Sequence, residues 1–159
     1  MSRKTKLAAT SVAALAAAAT VAVPATPAMA WTAGPVTANL SGTMTINAGV
    51  AATCTSSTLG GTIATNGALS ITSASVGGCG VTVTPQALPW SGSLSGGVAT
   101  LSGFRMSAIG CSYGGSLTGS YSGADNLPVT VTFTNQTVNK VSGLFCPSSA
   151  TITATYVFS

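Results

Sequence analysis

The sequence predicts an all-β, single-domain fold: an antiparallel β-sandwich or small barrel of about eight to ten strands with two disulfides. First, apolar residues or glycine occupy every even position from Val36 to Cys54, the two-residue period of a strand with one buried face. Second, turn signals recur at intervals of about 8–12 residues, as in sandwiches and small barrels. Third, no segment after residue 30 has the 3.6-residue period of a helix.

Residues 1–30 are predicted to be a secretory signal peptide. A short basic segment, residues 2–6, precedes an Ala-rich apolar run over residues 7–23, and small residues ending at Ala30 provide a cleavage site. An uncleaved N-terminal membrane anchor is the disfavoured alternative, because Thr, Ser and Pro weaken the apolar run. The mature chain would therefore be a single β domain, residues 31–159, in an exported protein.

The basic character of the chain belongs to this leader. Three of its five basic residues lie before residue 7, which leaves Arg105 and Lys140 against Asp125 in residues 31–159. Neutralising a nucleic-acid backbone requires several Lys or Arg side chains. We therefore expect no nucleic acid among the partners of this protein.

The alternating run from Val36 to Cys54 is too long for one straight strand. It would extend about 60 Å at about 3.3 Å per residue, several times the usual strand length. The run is therefore predicted to bend at Gly42 or Gly49, where glycine permits the backbone to turn from one sheet toward another.

Turns and loops are predicted from glycine pairs and polar segments. Gly60-Gly61, Asn66-Gly67 and Gly96-Gly97 match hairpin turns, with Asn66-Gly67 the strongest signal. Residues 122–126 and 135–141 are predicted to be polar loops.

Between these turns, alternation identifies the residues that should face the core. Trp90 is expected in the core, because an aromatic side chain of this size dominates a small interior. The inward positions of the two clearest late strands are Val129, Val131 and Phe133, and then Ile152, Ala154, Tyr156 and Phe158.

Four cysteines in an exported chain indicate two disulfides. Cys54 and Cys111 are each followed by a glycine-rich strand segment that ends at another cysteine, Cys79 or Cys146. This internal repeat favours Cys54–Cys79 and Cys111–Cys146 over the crossed and nested pairings. A zinc site is not expected, because the spacing is wrong and histidine is absent.

The composition also restricts the chemistry available to the chain. The sequence contains no His and no Glu, so catalytic triads and carboxylate pairs are absent, and we expect no catalytic, cofactor or metal site. A Ser–Lys dyad of Ser142 and Lys140 is the remaining catalytic hypothesis, but a solvated loop lysine explains Lys140 more simply. Arg105 is expected to be able to pair with Asp125 at the surface.

Two resemblances to known families follow from local motifs. The signal peptide, residues 54–63, residues 71–75, residues 81–90 and the segment from Cys146 to Tyr156 resemble small exported actinobacterial proteins with no assigned activity. The run from Gly42 through Cys54 to Ser75 is similar to secreted activators of alkane oxidation in pseudomonads. That second resemblance implies a helper role at hydrocarbon surfaces.

The sequence thus predicts a secreted, non-enzymatic protein of the extracellular space or cell envelope, with a structural, surface or binding role. Two alternatives stay open: a β-barrel of the outer mycolate membrane, and a self-assembling surface or adhesive subunit. Cell-envelope components, apolar surfaces or further copies of the chain are the candidate partners.

Overall fold

The computed structural model describes Ala22 and residues 30–159, so the predicted signal peptide lies almost entirely outside the described residues. The described part contains strands and no helix, which confirms the predicted all-β class. The eleven strands are β1 Gly34–Leu40, β2 Met44–Asn47, β3 Ala51–Cys54, β4 Ser56–Ile63, β5 Ala68–Gly77, β6 Val83–Pro85, β7 Trp90–Ser95, β8 Val98–Ala108, β9 Cys111–Tyr121, β10 Val129–Ser142 and β11 Ser149–Phe158. In this part of the chain no helix is long and apolar enough to cross a bilayer.

Eight of the strands close into an antiparallel barrel, which decides between the predicted sandwich and barrel. Neighbouring strands follow the order β1-β4-β5-β7-β8-β9-β10-β11, and pairing of β1 with β11 completes the circle. The closing register places Ala38 opposite Phe158 and Leu40 opposite Tyr156. The three remaining strands, β2, β3 and β6, bring the total to eleven, slightly above the predicted eight to ten.

The long first run bends at both predicted glycines and forms three strands. Gly42 (φ 78°) separates β1 from β2, and Gly49 (φ 84°) lies in the turn between β2 and β3. Strand β2 pairs with β11 further along than β1 does, with Asn47 opposite Thr151. The β2–β3 hairpin therefore lies beside the first half of β11. The even positions face inward as predicted near both ends of the run, but Val50, at the hairpin turn, is exposed.

Bulges change which residues face inward along three long strands. Thr72 is an extra residue of β5 relative to β4, so the inward positions change from Leu69 and Ile71 to Ala74 and Val76. Equivalent irregularities interrupt β8 between Leu101 and Phe104 and β10 between Phe133 and Gln136. Such bulges bend and twist strands, and this curvature allows the sheet to close.

Two local predictions were wrong at these irregular positions. Gly60-Gly61 lies inside β4 and makes no turn: a Cβ on Gly61 would overlap the carbonyl oxygen of Ser70, so the pair permits close strand approach beside the bulge. Residues 135–141 form no loop, because Asn135 adopts a left-handed φ of 47° within the bulge and β10 continues to Ser142. The predicted turn at Gly96-Gly97 and the polar loop at residues 122–126 are confirmed.

The barrel interior is a packed apolar core. Trp90 is 2% exposed, and its ring centroid lies 4.9 Å from that of Phe104, which confirms its predicted burial. The predicted inward residues of β10 and β11 are all buried, namely Val129, Val131, Phe133, Ile152, Ala154, Tyr156 and Phe158. Alternation therefore identified the core faces of both strands.

The two ends of the barrel differ in construction. At one end, here called the tryptophan end, lie the β4–β5 and β7–β8 turns and the β9–β10 loop, and Trp31 packs across the opening. At the other, the disulfide end, lie the β2–β3, β5–β6, β8–β9 and β10–β11 connections and both disulfides.

Candidate functional site

The disulfide end carries both predicted cystines with the predicted connectivity. Cys54 is bonded to Cys79, and Cys111 is bonded to Cys146. The first joins the end of β3 to the β5–β6 loop, and the second joins the start of β9 to the β10–β11 loop. Each bridge closes a loop of 25 or 35 residues and should stabilise the fold by about 3–4 kcal/mol in the loop-entropy model.

Large apolar side chains are exposed at this same end. The exposed fraction is 104% for Phe145, 86% for Leu144, 82% for Val50 and 79% for Ile109. These four residues are here called the apolar tips. Single exposed apolar residues are common, but a group of large ones at one end of a molecule indicates an interaction surface.

The loops that carry the apolar tips lie against one another. A Cβ on Gly143 would lie 2.6 Å from the carbonyl oxygen of Gly110, so the loop before Leu144 packs directly on the loop that follows Ile109. A Cβ on Gly49 would lie 3.4 Å from Cγ of Pro147, which places the β2–β3 turn beside the same loop. Three connections therefore meet in one apolar surface.

Two of the tips have a backbone conformation that L-residues rarely adopt. Phe145 has φ 60° and Ile109 has φ 51°, both in the left-handed region. Such conformations cost about 1–3 kcal/mol and are unusual for β-branched or bulky residues. Strain of this kind persists where neighbouring structure imposes it, and here the Cys111–Cys146 bridge joins the residues next to Gly110 and Phe145.

The barrel interior, by contrast, offers little space for a ligand. Its cavity has a volume of about 30 Å³ and a mainly apolar lining. An apolar cavity that binds benzene measures about 150 Å³. The hydroxyls of Ser57 and Tyr156 at the cavity wall form a hydrogen bond of 2.8 Å with each other, so neither is left without a partner for a ligand. Because the interior is filled, the disulfide end is the candidate site.

Burial raises the pKa of the two tyrosines that face polar partners. Desolvation raises the pKa of Tyr156, although the hydrogen bond between Tyr156 and Ser57 partly opposes this rise. Desolvation, followed by the hydrogen bond to Asp125, raises the pKa of Tyr121. Both phenols therefore stay protonated at neutral pH and take part in hydrogen bonds within the fold.

The charged side chains have different neighbours from those considered in the sequence. Lys140 Nζ lies 3.5 Å from the carbonyl oxygen of Cys146, which gives the lysine a backbone partner in place of Ser142. The expected Arg105–Asp125 pair does not form. Asp125 accepts a hydrogen bond from Tyr121 at the tryptophan end, whereas Arg105 lies opposite Gly114, toward the disulfide end. Residues 30–159 contain no group of three potential metal-ligating side chains.

Sequence reasoning missed the apolar tips. The segment Gly143-Leu144-Phe145-Cys146 contains two large apolar residues beside a cysteine, a composition equally typical of a buried strand end. Only the absence of alternation around it, between glycine and proline, could have indicated an exposed loop.

Fold and site together define a class of protein: a small disulfide-bonded β-barrel with a filled interior and an apolar surface at one end. The model of the family described as alkane oxidation protein activator PraA/PraB-like matches residues 1–159, and the chain belongs to this family. This confirms the likeness to alkane oxidation activators that was drawn above from residues 42–75. No curated protein and no solved structure matches the chain.

Proposed function

We propose that this protein is a secreted, non-enzymatic helper that adsorbs to hydrocarbon–water interfaces through the apolar tips at its disulfide end. The single observation that carries the proposal is Phe145, fully exposed beside Leu144 on a loop fixed by a disulfide. The family description, an activator of alkane oxidation, is the reason for proposing a hydrocarbon surface as the binding partner.

The energetics favour this role. Transfer of a fully exposed Phe or Leu side chain from water to an apolar phase stabilises binding by about 1.5–3 kcal/mol each. Because the loop is fixed before contact, little conformational entropy is lost on adsorption. The left-handed backbone at Phe145 destabilises the fold, and burial of the Phe145 side chain does not offset this, because the side chain is exposed.

The distribution of residues over the barrel supports a water-surrounded protein more than a barrel of the outer mycolate membrane. The outward positions of β9 and β10 are hydroxyl-bearing, with Ser116, Thr118, Ser120 and Thr130 all exposed. Transmembrane barrels have the opposite arrangement, with an apolar band outside and polar residues inside.

The self-assembly alternative gains little support from the strand edges. Closure of the barrel pairs its long strands, and the outlying edge strands β3 and β6 have four and three residues. Edges this short are weak templates for strand addition between molecules.

Adsorption to hexadecane droplets tests the proposal. The double variant Leu144→Ser/Phe145→Ser should lower the droplet-bound fraction more than tenfold at unchanged secondary structure and disulfide content, as loss of two apolar contacts requires. Val98→Ser is the matched control, because Val98 is 47% exposed near the turn at the tryptophan end. Equal adsorption of the double variant and the unaltered protein, or an equal loss in Val98→Ser, would contradict the proposal.

A further inference from the structure

The few charged side chains of residues 31–159 are divided between the two ends of the barrel. Lys140 lies opposite Tyr113 in β9, while Asp125 bonds to Tyr121 beyond the other end of the same strand. Eight residues separate the two tyrosines, about 26 Å at 3.3 Å per residue. This exceeds the Debye length of about 10 Å at 0.1 M salt, so Asp125, the only acidic side chain in the sequence, does not compensate Lys140.

Both cations of this region lie toward the disulfide end, Lys140 on β10 and Arg105 on β8. Lys140 Nζ is 3.5 Å from the carbonyl oxygen of Cys146, the residue after Phe145. Cγ of Arg105 and Cγ2 of Val141 would lie 3.5 and 3.3 Å from a Cβ on Gly114, so the Arg105 and Val141 side chains both lie next to this glycine. Val141 is itself 48% exposed and lies three residues before Leu144.

An end that carries both exposed apolar side chains and the cations Lys140 and Arg105 is complementary to a surface with an apolar interior and an anionic boundary. We propose that the disulfide end binds hydrocarbon surfaces coated with ionised long-chain carboxylates, with Leu144 and Phe145 among the alkyl chains and Lys140 and Arg105 at the carboxylates. The inference rests on the proposed function and adds the substrate class of the same site.

Carboxylates are favoured over phosphates by the chemistry named in the family description. The family description names alkane oxidation and no product. Full oxidation of a terminal methyl group would leave a carboxylate on the same alkyl chain, and such an amphiphile would lie at the hydrocarbon surface. Guanidinium groups form charge-assisted, bidentate hydrogen bonds with carboxylates, and ammonium groups attract them as point charges.

The test compares hexadecane droplets coated with oleate, at alkaline pH, with droplets coated with the uncharged oleyl alcohol. The protein should bind the oleate droplets more than tenfold more tightly, since a cation near an anionic surface contributes about fivefold. Lys140→Gln and Arg105→Gln should each remove about fivefold on oleate and change nothing on oleyl alcohol. The preference should disappear in about 1 M salt, where the Debye length is about 3 Å.

Control variants separate a local effect from net charge and from misfolding. Asp125→Asn alters net charge by the same amount as Lys140→Gln, but at the far end, and should leave the oleate preference unchanged. Lys140→Arg should retain it. An equal and opposite effect of Asp125→Asn, or unchanged oleate binding in Lys140→Gln, would overturn the assignment of these cations.

The outcomes also distinguish this inference from the proposed function. Equal binding to both droplets, lost in Leu144→Ser/Phe145→Ser, would refute the carboxylate preference and leave hydrocarbon adsorption standing. Failure to bind either droplet would refute both. Binding to phosphatidylglycerol vesicles as tight as to oleate droplets would assign the end to phospholipid and overturn the carboxylate proposal.

Discussion

The indole Nε1 of Trp31 donates a hydrogen bond to the carbonyl oxygen of Leu94 at 2.9 Å. The backbone N–H of Trp31 also donates to the carbonyl of Thr65, and its ring meets Tyr121 edge-on with centroids 6.0 Å apart. Only 3% of the residue is exposed. Trp31 thus closes one end of the barrel, and the apolar tips mark the other.

Trp31→Ala should therefore destabilise the protein by about 3–5 kcal/mol, the usual cost of truncating a buried Trp. The measurement is the urea dependence of unfolding. Thr32→Ala, at the exposed neighbouring residue, should stay within about 0.5 kcal/mol of the unaltered protein. An unchanged unfolding midpoint in Trp31→Ala would show that the residue does not seal the barrel.

Gly67→Ala should cost more stability than Gly96→Ala. Both glycines have positive φ, 82° and 58°, so both substitutions carry the left-handed strain of about 1–2 kcal/mol. A Cβ on Gly67 would also overlap the carbonyl of Leu94 and lie 2.8 Å from Nε1 of Trp31, whereas one on Gly96 meets nothing. Thermal unfolding of the two variants measures the difference, and equal melting temperatures would contradict the close packing of Gly67 against Leu94 and Trp31.

An acidic substitution in the run from Val36 to Cys54 should have different effects on its buried face and on its exposed face. Met44 is 2% exposed, and Met44→Asp would bury an unpaired carboxylate, which should prevent folding or secretion. Thr43→Asp, on the exposed neighbour, should give a folded monomer. Secretion level and size-exclusion profile measure both outcomes. Similar behaviour of the two variants would show that the alternation does not separate buried from exposed positions.

Stability should decline at alkaline pH, in part through Tyr156. Its folded pKa is raised above the unfolded value of about 10, so the folded state holds the proton more tightly. The contribution is fully present below pH 10 and is lost as the pH rises through the folded value.

The variant Tyr156→Phe should flatten this decline and cost about 1 kcal/mol at neutral pH, because the bond to Ser57 is lost. Urea unfolding at a series of pH values measures both effects. Ser57→Ala is the control: it should lower stability at neutral pH while the alkaline decline remains. A Tyr156→Phe variant as pH-dependent as the unaltered protein would exclude this phenol as a contributor.

The exported protein should begin at Trp31 and have a mass about 4 Da below its fully reduced value, since each disulfide removes two hydrogens. Intact-mass spectrometry before and after reduction tests both expectations. A chain that retains residues 1–30 would contradict the predicted signal peptide. Free thiols before reduction would contradict the two bridges.

The sequence by itself predicted which face of each regular strand segment is buried, and it favoured the cysteine pairs that form. The period of two places Val131 and Phe133, or Ile152 and Ala154, on one side whatever sheet the strand enters, since side-chain direction is a local property of extended backbone. The repeat of a cysteine, a glycine-rich strand segment and a second cysteine likewise indicated Cys54–Cys79 and Cys111–Cys146.

Only the tertiary structure decided that the sheet closes into a barrel and that Leu144 and Phe145 face water. Closure depends on pairing between β1 and β11, about 120 residues apart, and on bulges at which an extra residue is tolerated by the partner strand. The exposure of Phe145 depends on contacts of Gly143 with Gly110 and on the Cys111–Cys146 bridge. Those contacts join distant parts of the chain, and no local pattern of apolar residues encodes them.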